Sequence, residues 1–151
     1  MIPQLADLYQ ALSPFAYALL RIVVGLALVP HGLRNTFGLF PNTGAVSLNL
    51  KDLAAGLDQS GYRPGWFWAP AISITQLAGG PLLALGLLTR PVGLVVLLFL
   101  LVANVERWRV GKYFWNKLGL EYTLMWTIAA FYVVVHGGGL YSMDHLLGWE
   151  F

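Results

Sequence analysis

The chain has 151 residues, of which 58% are apolar and only 11% carry a charge, and its mean hydropathy is +0.66. A soluble domain of this size carries about 25% charged residues, so the composition predicts a single transmembrane domain over residues 1–151. The net charge of +2 argues against nucleic-acid binding, and the absence of cysteine excludes disulfides, iron–sulfur clusters and thiolate metal sites for this chain.

Four apolar segments are each long enough to cross a bilayer with modest tilt. The first begins at Pro14, a residue type suited to the first turn of a helix. Tryptophan and tyrosine residues cluster at the ends of the later segments, as they do at membrane interfaces. The sequence therefore predicts an all-α, integral membrane four-helix bundle, with spans at approximately 14–32, 66–88, 91–108 and 115–136.

A long connection, from Asn35 to Gly65, separates the first two predicted spans. Within its segment SLNLKDLAAGL, apolar residues recur at helical spacing and charged residues lie elsewhere on the helical wheel. The pattern predicts a short interfacial amphipathic helix that lies on the membrane or caps the bundle. A simple surface loop is the alternative.

Basic residues are divided unevenly between the two predicted membrane faces. The face that holds the long connection and the turn before the last span carries seven of the nine: Arg34, Lys51, Arg63, Arg107, Arg109, Lys112 and Lys117. The opposite face, with both termini, carries Arg90 alone. The positive-inside rule then predicts a multi-pass protein of the cell (inner) membrane whose N- and C-termini lie outside the cytoplasm.

Arg21 lies in the middle of an otherwise apolar segment, and a charge at that depth requires a partner. Even lenient insertion scales assign a cost of roughly 2.5 kcal/mol or more to an arginine near the bilayer centre. Glu121 is the better counter-ion because a long arginine side chain can reach it, and Glu106 is the second candidate. Gln76 is expected at the same depth as a hydrogen-bond neighbour. Arg21 is thus either half of an ion pair that fixes packing or an anchor for a polar ligand.

His31 ends the first predicted span at the basic face, where Asn104, Glu106 and Glu121 are expected at similar levels. Taken alone, His31 is better interpreted as an interfacial residue that caps helix carbonyls. The convergence of these polar groups with an arginine favours a site that binds a polar head group and carries protons.

The glycines of the first two spans predict closely packed helices, and Pro81 predicts a kink that opens space beside Gln76. A haem is not expected, because His31 and His136 end their spans on opposite faces, some 25–30 Å apart by the helical rise. No metal is expected either.

Together these residues resemble the DoxX family of small four-helix bacterial and archaeal membrane proteins. The matching elements, in chain order, are Leu20-Arg21, Gly25, His31-Gly32, Gly38, Gly79-Gly80, Gly86-Leu87-Leu88-Thr89-Arg90, Gly119, Glu121 and Gly139-Leu140-Tyr141-Ser142-Met143-Asp144-His145. The chain departs from the family pattern at Gln76, where an acidic residue is usual, and at Arg34 and Asn35, where a lysine is common.

The resemblance implies a redox-linked membrane role, since some members are the membrane subunit of thiosulfate:quinone oxidoreductase. Because the chain lacks a flavin motif and a haem pair, such a role requires a bound quinone or a partner subunit. The leading hypothesis is a quinone-interacting subunit of a redox complex, in contact with membrane lipids and protein partners. Its catalytic residues would be His31 and Glu121, and its ligand-binding residues would be Arg21, Gln76, Asn104 and Glu106. A non-catalytic anchor subunit and a carrier of a small hydrophobic molecule are the alternatives.

Overall fold

A computed structural model describes residues 3–43 and 49–149 of the chain, and all regular structure in these ranges is helical. The helices are α1 (Pro3–Phe37), α2 (Leu50–Gln59), α3 (Gly65–Ile74), α4 (Gly80–Leu85), α5 (Thr89–Val110), α6 (Leu120–His136) and α7 (Met143–Leu147). A π-helical turn (Thr75–Gly79) joins α3 to α4, and a 3₁₀ turn (Trp115–Lys117) precedes α6. The all-α prediction is confirmed.

Two helical segments are long and apolar enough to cross a membrane, Leu5–Phe37 within α1 and Thr89–Val110, which is α5. The apolar helix α6 is shorter than the last predicted span, which began at residue 115. Residues 115–117 form the separate 3₁₀ turn instead of the first turn of that helix. That turn ends at Leu118, whose backbone is left-handed with φ of 58°, and a left-handed residue interrupts an α-helix.

The first helix extends beyond the predicted span at both ends. It begins at Pro3, so Pro14 lies inside it, and Leu5, Leu8 and Leu12 continue the helical spacing of apolar residues toward the N-terminus. At the other end α1 continues past the predicted boundary at residue 32. It ends where Gly38 adopts a φ of 72°, a conformation that favours glycine.

Small residues allow α1 and α4 to cross at close range, as predicted. A Cβ atom added to Gly80 would lie 2.6 Å from the carbonyl oxygen of Gly25, closer than real Cβ contacts allow. The two backbones therefore touch directly at this point. Around it, α1, α4, α5 and α6 share one core of buried side chains: Val24, Leu28, Leu83, Val96, Leu100, Ala130 and Val133.

The outward faces of the long helices are apolar, in contrast to those of a soluble protein. On α5 the exposed apolar residues are Leu94, Val95, Leu98, Leu101, Val102 and Val105, and on α6 they include Met125, Ile128, Phe131 and Val135. Contiguous apolar surface on this scale is stable when lipid covers it.

The predicted amphipathic helix of the long connection is present as α2. The side chain of Asn49 caps it by accepting hydrogen bonds from the backbone N–H groups of Lys51 and Asp52, at 2.9 and 3.0 Å. Ser47 and Leu48, which the pattern also covered, lie outside the described residues. The helix packs against α3. Asp58 of α2 accepts a hydrogen bond from the N–H of Gly65, the first residue of α3, at 2.7 Å. Its position on the membrane surface stays a prediction.

Candidate functional site

The buried side chain of Arg21 holds one end of the helical assembly together. Its two terminal nitrogens donate to the carbonyl oxygens of Gly138 and Tyr141, each at 2.7 Å, and only 1% of the residue is exposed. These carbonyls belong to the loop between α6 and α7, in which Gly137 and Gly139 have positive φ angles that glycine alone adopts without strain. Arg21 therefore fastens this loop to α1.

Asp144 lies in α7, directly after this loop, and is 3% exposed. It fastens this part of the chain to the start of α5. Its carboxylate accepts hydrogen bonds from the N–H groups of Leu88 and Thr89, each at 2.7 Å, and from the Thr89 hydroxyl at 2.6 Å. A helix N-terminus leaves such N–H groups unpaired, and its dipole favours a negative charge there. We call Arg21, Asp144 and residues 137–141 the C-terminal latch, because Arg21 ties this segment to α1 and Asp144 ties it to the start of α5.

The partners predicted for Arg21 are wrong. Its hydrogen bonds go to backbone carbonyls, whereas Gln76 accepts a hydrogen bond from Asn35 and Glu121 accepts one from a backbone N–H near the start of α6. The helical rise places about 21 Å along α1 between Arg21 and Asn35. The prediction failed because the actual partners are backbone carbonyls of a distant loop, which every residue type carries and no sequence pattern marks.

A cavity of about 850 Å³ lies between the helices toward the end opposite the latch. Its walls are mostly apolar and come from α1, α5 and α6: Val24, Ala27, Leu28, Phe99, Leu100 and Trp126. Leu53 of α2 and Trp115 of the 3₁₀ turn border it as well. This volume falls within the range of roughly 300–1,000 Å³ in which proteins hold small molecules.

The polar lining of this cavity is concentrated at one end, which we call the cavity mouth: His31, Arg34, Asn35, Gln76 and Arg107. Arg34 donates from Nε and Nη2 to the Asn35 Oδ1, at 3.3 and 3.1 Å, and the Asn35 Nδ2 donates to the Gln76 Oε1 at 3.0 Å. Asn35 and Gln76 are 6% and 4% exposed, so their amides are fixed by each other rather than by solvent.

Gln76 reaches the cavity from the π-helical turn that joins α3 to α4. Pro81 follows this turn, and its ring lacks the N–H that the Leu77 carbonyl would accept in a continuous α-helix. The wider turn accommodates that missing bond, and π-helical turns of this kind are frequent at functional sites. The backbone beside Gln76 is thus a π-helical turn, and the kink predicted from Pro81 stays a prediction.

Asn104 and Glu121 do not line the cavity, and each forms a hydrogen bond with a protein group. Asn104 donates to the Thr127 hydroxyl on α6 at 2.8 Å, and Glu121 accepts from the Trp115 N–H at 3.1 Å. Asn104 therefore stabilises the contact between α5 and α6, and Glu121 stabilises the 3₁₀ turn before α6. The structure places both at the end of the molecule where they were predicted, without bringing them to the cavity surface.

Glu106 binds the connection between α2 and α3. It accepts a hydrogen bond from the Tyr62 hydroxyl at 2.6 Å, and it forms a salt bridge with Arg109 at 2.8 Å. The hydrogen bond to this carboxylate raises the pKa of Tyr62, because it favours the protonated phenol. Through Tyr62, Glu106 holds the end of α2 beside α5, and Leu53 of α2 borders the cavity.

A second cavity, of about 490 Å³, lies beside the latch and is lined by Arg90, His136 and His145 among others. His136 packs on Tyr17 with ring centroids 3.9 Å apart, whereas His31 lines the other cavity about 21 Å further along α1. These two histidines therefore lie at opposite ends, as predicted. Within residues 3–43 and 49–149, no group of three or more histidine, aspartate or glutamate side chains is placed to hold a metal.

Comparison with known families agrees with this arrangement. The DoxX family model matches residues 16–106, more than half of the chain. The chain belongs to the DoxX family. No curated protein and no solved structure matches it. DoxX proteins are membrane proteins, and a membrane environment accounts for the apolar outer surface. They are often subunits of redox complexes.

Three residues of the DoxX protein's cavity mouth were not among the predicted site residues: Arg34, Asn35 and Arg107. Arg34 and Asn35 follow His31 by three and four positions, which is the spacing of one helix face. The sequence spacing therefore indicated these two residues, but the predicted end of the first helix at residue 32 put them in a loop. Of the predicted residues, the structure brings His31 and Gln76 together at the mouth and places Arg21 in the latch.

Proposed function

We propose that the protein is a four-helix membrane subunit of a redox complex, and that it holds a quinone in the cavity between the helices. The cavity carries this proposal, because its walls are apolar and its polar groups lie at one end. A quinone has the same division, with a polar ring and an apolar tail. The ring would lie near the cavity mouth and the tail between α1, α5 and α6.

His31 and Gln76 are the residues to which we assign contact with the ring. The amide nitrogen of Gln76 carries two N–H donors for a quinone carbonyl, while its oxygen is occupied by Asn35. His31 is suited to proton exchange with the ring, because imidazole changes charge near neutral pH. Asn104, Glu106 and Glu121 have protein partners, so we assign no ligand contact to them.

The electrons would come from a partner subunit rather than from this chain. The protein's own residues then bind the quinone, orient its ring and supply protons. The seven basic residues of one face support an orientation with the cavity mouth on the cytoplasmic side and both termini outside. A reporter that is active only in the periplasm, fused after Phe151, tests that orientation and should be active.

The binding test is titration of the purified protein with decylubiquinone, read by quenching of tryptophan fluorescence. Trp126 and Trp115 both line the cavity, so a saturable component should be present and should be reduced in Trp126→Phe. Ala27→Phe fills the cavity and should weaken binding at least about tenfold, whereas Ala16→Phe adds the same ring to an exposed position of α1 and should not. Binding by Ala27→Phe as tight as the parent's would place the quinone elsewhere.

A further inference from the structure

The cavity mouth contains three basic side chains and no acidic one among the lining residues that the structure describes. His31 and Arg34 come from α1, and Arg107 comes from the end of α5. His31 and Arg34 are three residues apart and share one face of α1, and Arg107 lines the same mouth, so the three groups form one cluster. Like charges repel more strongly beside apolar walls than in water.

The hydrogen bonds of this cluster go to neutral acceptors. Arg34 donates to the side chains of Asn35 and Thr43, and Arg107 donates to the Leu118 carbonyl at 3.2 Å. These contacts orient both guanidinium groups without compensating their charge. An anion between them would remove the repulsion and gain charge-assisted hydrogen bonds.

The carboxylates of α5 and α6 at the same end have other partners. Glu106 is occupied by Tyr62 and Arg109, and Glu121 accepts from the Trp115 backbone. The cluster also differs from a solvated basic surface. Arg34 and Arg107 are half-buried beside the cavity, whereas exposed lysines of this face, such as Lys51, Lys112 and Lys117, do not line it.

We infer that His31, Arg34 and Arg107 bind an anionic oxygen at the polar end of the molecule that occupies the cavity. The inference rests on the proposed function and narrows it: among quinone-type ligands, the one that binds tightest carries a deprotonated ring hydroxyl, as an ionised hydroxyquinone does. The amphiphile has a negative head at the mouth and an apolar body along Leu28, Phe99 and Trp126. The same chemistry is present in an anionic lipid, which the test separates.

The test compares two quinone probes that differ in charge. A 3-alkyl-2-hydroxy-1,4-naphthoquinone is ionised at neutral pH, and its 2-methoxy analogue is neutral and of nearly the same shape. The parent should bind the hydroxy compound about tenfold tighter, which corresponds to roughly 1.4 kcal/mol. Arg34→Gln and Arg107→Gln should each remove most of this preference. Their binding of the methoxy compound should weaken less than their binding of the hydroxy compound, and thermal melts like the parent's should show that the variants are folded.

Lys51→Gln is the control, because it removes one positive charge from the same face at an exposed position outside the cavity. It should keep the full preference for the hydroxy compound. A loss of preference in this variant equal to that in Arg34→Gln would indicate a general surface potential and would overturn the inference.

The outcomes separate the inference from the proposed function. Equal binding of both probes by the parent overturns the anion site and leaves the quinone function standing. If neither quinone binds, but lysophosphatidylglycerol binds in preference to lysophosphatidylcholine and depends on Arg34 and Arg107, the anion site is supported and the quinone function is not. If none of the four probes binds, both are refuted.

Discussion

Replacement of Arg21 by leucine tests how the C-terminal latch contributes to stability. The substitution removes the donors to the Gly138 and Tyr141 carbonyls, while leucine itself suits an apolar segment. Backbone carbonyls cannot relieve the loss by taking up a proton, as a carboxylate would. We therefore expect Arg21→Leu to be strongly destabilising.

The magnitude follows from the two hydrogen bonds. Both hydrogen bonds have a charged donor, and such bonds contribute about 1.5–3 kcal/mol each, so the two contribute about 3–6 kcal/mol. Burial of leucine in place of a charge recovers about 1–2 kcal/mol. The expected net loss is about 3 kcal/mol, or an apparent Tm lower by about 6–12 °C for a protein of this length.

Glu121→Gln provides the matched comparison. The glutamine carbonyl can still accept the hydrogen bond from the Trp115 N–H, so the loss should remain below about 1 kcal/mol. Arg63→Leu is the control for removal of an exposed arginine and should lie within about 0.5 kcal/mol of the parent. The measurement is thermal unfolding of all four proteins in the same detergent.

The order of the two losses is the decisive result. An Arg21–Glu121 ion pair requires Glu121→Gln to be the more damaging change, because arginine cannot shed its proton and would be left charged and unpaired. The latch requires the opposite order. A larger loss in Glu121→Gln than in Arg21→Leu would refute the assignment of Arg21 to the carbonyls of residues 138 and 141.

Two further substitutions test the helix crossing and the other half of the latch. Gly25→Ala should lower the free energy of unfolding by about 2–4 kcal/mol in detergent melts, because its Cβ atom meets the backbone of α4, while Gly56→Ala, with open space around it, should stabilise α2 by up to about 1 kcal/mol. Asp144→Asn should cost about 2–3 kcal/mol in the same assay, because one amide N–H₂ group would face the N–H donors at the start of α5; a melt like that of exposed Asp7→Asn would contradict the latch.

Features that repeat along the chain could be predicted from the sequence. The apolar composition indicated helices, the spacing of Leu50, Leu53 and Leu57 indicated α2, and the glycines indicated a close crossing. Each follows from periodicity or from residue size, both of which are local properties. The position of His31 at the basic end could also be predicted, because it depends only on where one helix ends, whereas Gln76 was expected beside Arg21 and instead binds Asn35.

Features that depend on distant backbone could not be predicted. Arg21 binds carbonyls of a loop more than a hundred residues away, and every residue type carries a carbonyl. The direction of those carbonyls depends on the φ angles of Gly137 and Gly139. Helix ends were the second source of error, since the true end of α1 at Phe37 places Arg34 and Asn35 on a helix face instead of in a loop.

The contact between Asn35 and Gln76 joins the two positions at which the chain departs from the DoxX pattern. An acidic residue is usual at the second position and a lysine is common near the first, so a neutral amide pair stands where opposite charges would meet. We expect Asn35→Lys alone to be destabilising by several kcal/mol, because it buries another cation beside Arg34 and Arg107. Adding Gln76→Glu should restore at least about 1–2 kcal/mol, measured as the coupling in a double-mutant cycle of detergent melts. If the two losses simply add, the amides are not an interacting pair. Gln76→Glu alone should also abolish the preference for the anionic probe, since its carboxylate would occupy the mouth as the missing counter-charge.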